Sequence, residues 1–168
     1  MPDDPNPQLR HVHAAMEWHG AFASTQRVRG HAFIVDEPEK LGGDNRGPTP
    51  LEYVLGAYDA CLQIVIVTLA REMRIQVHDV DLESVATVDR RGLFGTAPVS
   101  PHYQRIETTI RLSLGGDGAD SAAIERLKAA LYVRCPMYNL VKDAGIVQEL
   151  TWLLGPTGKH ADAAVRKS

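Results

Sequence analysis

The stretch that most constrains this chain runs from Pro48 to Arg74, where a long apolar helix carries its own start signals. Thr49 is a good N-cap, and Pro50 suits the first helical position, where a missing N–H is no loss. Glu52 adds a carboxylate to the first turn, which the helix dipole favours. From Leu51 to Thr68 the only strongly polar residues are Glu52, Asp59 and Gln63. At about 100° per residue these fall on a ridge roughly 40° wide, and all else is apolar or small. The pattern predicts a buried centrepiece. Cys61, one of two cysteines, sits opposite the ridge with Val54, Ala57, Ile64 and Thr68.

A chain of 168 residues fits one domain with a sizeable core. We place that domain at residues 10–154, between a loose proline-rich arm (1–9) and a polar tail (155–168). A net charge of −3 gives no reason to expect nucleic acid or an anionic membrane as partner. The charge-free run Ala60 to Ala70 is shorter than the ~20 residues of a membrane span. Met1 to Pro7 is acidic and proline-rich without an apolar core, unlike a secretory signal. The expectation is a cytoplasmic protein whose cysteines rest as thiols.

Strand-like runs at Val12–Trp18, Phe22–Arg29 and His31–Asp36, punctuated by Gly20 and Gly30, predict an antiparallel meander. A loop rich in Gly, Pro, Asn and Asp follows to Pro50, long enough to suggest a functional role. Within it, Gly42-Gly43-Asp44 reads as a flexible turn. Beyond the helix, Ile75–Asp89 alternates, with a break at His78-Asp79 that allows a bulge. A loop follows over Arg90–Pro101, with Leu93-Phe94 exposed, and His102–Leu114 alternates again. Ser121 reads as the cap of a helix to Arg134, Pro136 opens a short helix that Gly145 closes, and Ile146–Leu154 is a last strand. The order is βββαββααβ, an α+β fold around one dominant helix.

With Pro136 at the first helical position, Cys135 falls at an N-cap, where backbone N–H groups and the dipole favour a thiolate. A small residue closing a helix junction is the plainer role for it. Taken alone, Cys61 has the stronger claim to a plain role, as an apolar core residue. The two together change the weighting. The segments DEPEKLGGDNRGPTPLEYVLGAYDAC (36–61), REMRIQVHDVDL (71–82), DRRGLFG (89–95) and RCPMYNLVKDAG (134–145) resemble the OsmC/Ohr family, and the element order is similar to that family's core.

The resemblance implies a thiol peroxidase for organic hydroperoxides, built as an intertwined homodimer with interfacial active sites. Cys61 matches the peroxidatic position and Cys135 the resolving one, the sulfenic acid of the first condensing with the second to a disulfide. A dithiol such as a lipoylated protein would reopen it. Their Cα atoms must then come within about 7 Å. The family's peroxidases also use an arginine from the N-terminal strands and a glutamate near the helix start. Arg27 and Arg29 both lie in the right region. Leu51 holds the position where glutamate is usual, and Glu52 follows it. Glu52 lies ~13 Å from Cys61 along the helix axis and on the opposite side, so within one straight helix it cannot touch the thiol. Its first-turn position is explained by helix stabilisation.

No cofactor or metal is implied. The seven histidines lack HxxxH spacing on a helix, and His11 and His13 read as an exposed strand face. Tyr58 and Tyr138, each three residues from a cysteine, suit a pocket wall or the core. The rival to the peroxidase is an OsmC-fold protein that binds a small apolar ligand with little turnover.

Overall fold

The computed structural model describes residues 8–115 and 120–155. The expected arm and tail lie outside that range, apart from residues 8, 9 and 155. The chain divides into two compact units, Met1–Val54 and Leu55–Ser168.

The first unit is the meander, with β1 (Ala14–Trp18), β2 (Ser24–Val28) and β3 (His31–Val35) in the order β1-β2-β3. Val28 pairs with His31, leaving a two-residue loop whose first residue, Arg29, has φ +56°. Tight hairpins need a positive φ there, and a side chain other than glycine strains the backbone. His11 and His13 precede β1 and are exposed, so they do not form a strand face.

The loop to the helix is fixed rather than flexible. Asp36 is buried, and its carboxylate accepts the backbone N–H groups of Glu37 (2.8 Å), Asp44 (3.2 Å) and Arg46 (3.1 Å). Burial pushes this carboxyl up, but the three hydrogen bonds outweigh it and leave it below the usual carboxylate range. Gly43 turns against the chain so tightly that a Cβ would meet the Glu37 carbonyl oxygen at 2.0 Å. Only glycine fits.

Helix α1 (Pro50–Glu72) begins at a capping box: the Thr49 N–H donates to Glu52 Oε2 at 2.7 Å, and the Glu52 N–H to Thr49 Oγ1 at 3.4 Å. In the second unit it buries Tyr58, Leu62, Ile66, Leu69 and Ala70. The expected centrepiece is thus buried on one face only. The stripe beside Cys61 (Ala57, Ile64 and Thr68) is exposed, Ile64 at 60%. Among the described residues α1 is the one helix long and apolar enough to cross a membrane, a length the charge-free run alone understated. Its side chains bond to strands: Ser84 Oγ donates to Asp59 Oδ1 at 2.5 Å, and Ser84 and Thr108 hydroxyls meet at 2.7 Å.

The second sheet has the order β4-β5-β6, from β4 (Gln76–Val88), β5 (Tyr103–Gly115) and β6 (Val147–Leu154). β4 and β5 run antiparallel with a register shift between Val77 and Asp79, the expected bulge. β5 turns Ile106, Thr108, Ile110 and Leu112 into the core, the period of two that its sequence shows, while Tyr103 is buried out of phase beside a register shift between Thr87 and Val88. Between these strands a short helix, α2 (Arg90–Leu93), replaces part of the expected loop, because Asp89 caps it by accepting from the Arg91 N–H. Leu93 and Phe94 are exposed, as their sequence suggests.

A parallel pairing of β5 with β6 requires a crossover, and α3 (Ser121–Arg134) and α4 (Pro136–Asp143) supply it. The cap of α3 is Asp120, not Ser121: its carboxylate accepts the Ala123 N–H at 2.6 Å, and Ser121 is already helical. Gly145 ends the α4 segment at φ +75°, as the sequence predicts. Leu127 and Leu131 of α3 and Val141 of α4 complete the core.

Candidate functional site

The two cysteines meet. Cys61 lies in the middle of α1, half-buried, and Cys135 is fully buried between α3 and α4. The Cys135 thiol donates to Cys61 Sγ across 3.6 Å. A disulfide needs about 2.05 Å, so an approach of about 1.5 Å would join them.

Cys135 owes its place to Pro136. The ring cannot extend α3, the chain breaks into an extended residue, and Cys135 becomes the N-cap of α4. Its Sγ accepts the Tyr138 N–H at 3.5 Å. The helix N-terminus by itself favours a thiolate here, but the balance runs the other way. Burial pushes the Cys135 thiol up to about 11, and the neighbouring Cys61 adds to this, against the lowering by the Tyr138 and Met137 N–H groups. Desolvation outweighs the helix N-terminus. Cys135 is a protonated thiol at neutral pH.

Three further devices hold this junction. Asn139 directs its amide N–H groups at the carbonyls of Tyr132 (3.1 Å), Val133 (3.2 Å) and Cys135 (2.9 Å), closing the end of α3 onto α4. Arg134 grips Glu72 at the end of α1 with two hydrogen bonds, at 2.5 and 2.9 Å, which holds the Glu72 carboxyl below its usual range. Gln148 on β6 accepts from the buried Tyr58 hydroxyl at 2.9 Å and donates to the Tyr138 carbonyl at 3.2 Å.

Sequence reasoning missed all three. Gln148 had a signal: it shares the inward face of β6 with Leu150 and Trp152, a polar residue on an otherwise apolar face. Asn139 had one too, as a poor helix former inside a short helix, four residues after the cysteine. Of the two tyrosines, Tyr58 is a hydrogen-bonded core residue, and the Tyr138 ring packs on Tyr132 with centroids 5.0 Å apart.

The remaining candidates belong to the first unit. Arg27 on β2 pairs with Glu17 at 3.3 Å, both side chains well exposed. Arg29 occupies the strained hairpin position, and Glu52 is engaged in its capping box. Among the described residues no cluster of His, Cys, Asp or Glu could hold a metal ion.

The family model described as OsmC-like protein matches residues 42–150, which include both cysteines. Solved structures share the fold at low identity. An OsmC-like protein from Mycoplasma pneumoniae is 13% identical with a TM-score of 0.72, over 88% of this chain and 99% of that one. An organic hydroperoxide resistance protein OsmC from Legionella pneumophila is 18% identical with a TM-score of 0.61, over 86% and 98%. One from Elizabethkingia anophelis is 16% identical with a TM-score of 0.63, over 89% and 100%. No curated protein matches the chain.

Proposed function

This chain belongs to the OsmC-like protein family, and from that premise we propose that it reduces organic hydroperoxides through Cys61, with Cys135 as the resolving thiol. The observation that carries the reading is the 3.6 Å separation of the two sulfurs.

In the first step the Cys61 thiolate attacks the hydroxyl oxygen of the peroxide. An S–O bond forms as the O–O bond breaks, the sulfur loses two electrons, and the alkoxide leaves and takes up a proton as the alcohol. Cys61 is then a sulfenic acid. In the second step the Cys135 sulfur attacks the sulfenic sulfur. The S–S bond forms, the S–O bond breaks, and hydroxide leaves with the thiol proton as water. With the Cys135 thiol pushed up to about 11, the attack runs through its small thiolate fraction, and the proton given up on ionisation balances the departing hydroxide. A dithiol reductant, such as a protein-bound lipoyl group, then reopens the disulfide by exchange and leaves as a cyclic disulfide.

The exposed stripe of Ala57, Ile64 and Thr68 beside Cys61 suits an alkyl peroxide better than hydrogen peroxide. A second copy of the chain covering it would give a cytoplasmic homodimer with a dry site. We assign the stabilising cation to Arg29 ahead of Arg27. Arg27 already pairs with Glu17.

One observation favours a second reading. Glu52 is spent on a capping box and Leu51 stands where glutamate is usual, which suits a protein that binds a small apolar ligand with little turnover. A coupled assay separates the two. With cumene hydroperoxide and dihydrolipoamide, wild type should consume peroxide over many cycles, and Cys61→Ser should not. Equal, slow consumption by both would leave the binding reading.

A further inference from the structure

We infer that Gln148 is a positioning residue of the Cys61/Cys135 couple: among the described residues, its side chain is the one that ties both thiol-bearing elements to the sheet. The inference rests on the disulfide step proposed above and adds a residue to it.

Tyr58 lies one helical turn before Cys61 in α1, and its hydroxyl donates to Gln148 Oε1 at 2.9 Å. Gln148 Nε2 donates to the Tyr138 carbonyl at 3.2 Å, and the Tyr138 N–H donates to Cys135 Sγ at 3.5 Å. One path from Cys61's helix to the other cysteine's sulfur therefore runs through the Gln148 amide, beside the Arg134–Glu72 pair at the end of α1. The amide has one orientation. Turned over, it would set its oxygen against the Tyr138 carbonyl oxygen, two acceptors with no proton between them. Gln148 is itself anchored, since β6 pairs with β5 at Ile106↔Gln148. Tyr58 is fully buried and Gln148 half-buried, so water is a poor substitute partner. The geometry gains in two ways. The helices cannot drift apart while Cys61 waits as a sulfenic acid, and the closing motion is confined to the side chains.

The test compares Gln148→Leu, Gln148→Glu and the double variant Tyr58→Phe/Gln148→Leu with wild type. The double variant removes both partners of the buried bond together, which is the gentler change for folding. One readout is the equilibrium constant of the Cys61–Cys135 disulfide in mixtures of reduced and oxidised dithiothreitol, which needs no peroxide. The second is the lifetime of the sulfenic acid after one equivalent of cumene hydroperoxide, trapped with dimedone. A positioning role predicts a disulfide constant at least tenfold lower and a sulfenic acid at least tenfold longer-lived in the leucine variants. The rate of its formation should stay within about twofold of wild type.

Gln148→Glu should be impaired while ionised, and its closure rate relative to wild type should recover as falling pH restores a proton to donate to Tyr138. A folded double variant with wild-type disulfide constant and closure rate would overturn the inference. Should wild type ignore peroxides while the variants still show the weakened disulfide, the peroxidase reading falls and the role of Gln148 stands.

Discussion

Cys135 donates its thiol hydrogen to Cys61 across 3.6 Å, although 74 positions of sequence separate them. The thiolate is the attacking form of a cysteine, and burial holds Cys135 near pKa 11. Disulfide closure in wild type should therefore accelerate about tenfold per pH unit between about pH 7 and 10, as the small thiolate fraction grows. Quenched-flow trapping of the sulfenic acid with dimedone measures this. A closure rate flat across that range would show that Cys135 ionises far below the value its burial implies.

The Asp36 hub makes a prediction about acid. Its carboxyl is held below its unfolded value, so it stabilises the native loop fully above about pH 4 and loses that contribution as pH falls through the lower native value. Hydrogen exchange at the Asp44 and Arg46 amides, which donate to it, should stay slow near neutrality. Asp36→Ala should speed exchange at these two sites about tenfold or more, while the Leu62 and Ile66 amides of α1 hold their rates.

Asp59 behaves in the opposite sense. Burial raises its carboxyl, against the lowering by the Ser84 hydroxyl. A raised native value is stabilising below the unfolded pKa and costs stability as pH rises through the native one. Asp59→Asn keeps the acceptor for Ser84 and removes the charge. Its melting temperature should exceed wild type by about 2–4 °C at pH 7, with the gap closing near pH 3. Calorimetry at the two pH values decides it.

The two faces of α1 should respond differently. Leu62 is fully buried, and Leu62→Ala should cost about 2–5 kcal/mol of stability by denaturant titration. Ile64 is 60% exposed, and Ile64→Asp should leave the fold of the single chain intact. If a second copy covers this stripe, Ile64→Asp should shift sedimentation from dimer to monomer. A variant that sediments as wild type does would remove that stripe from the dimer interface.

Much of this was legible in the sequence, and the exceptions are instructive. Period-two alternation located β4 and β5, the break at His78-Asp79 located the bulge, and Pro136 located Cys135 at an N-cap. The buried face of α1 was not legible. A helix apolar nearly all round has no contrast by which to choose a side, and Ser84 and Gln148 on the strands make the choice by bonding Asp59 and Tyr58. The ionisation of Cys135 is not legible either, because sequence shows the helix N-terminus but not the burial that outweighs it. Gln148 escaped notice because its two partners come from elements far away in sequence, Tyr58 being 90 positions distant.

The central claim is that Cys61 and Cys135 form one redox couple, and the intact mass of the protein tests it most directly. After one equivalent of cumene hydroperoxide, wild type should lose about 2 Da through a Cys61–Cys135 disulfide, and Cys135→Ser should gain about 16 Da as the Cys61 sulfenic acid. Unchanged masses in both proteins, with both thiols of wild type still titratable, would contradict the account.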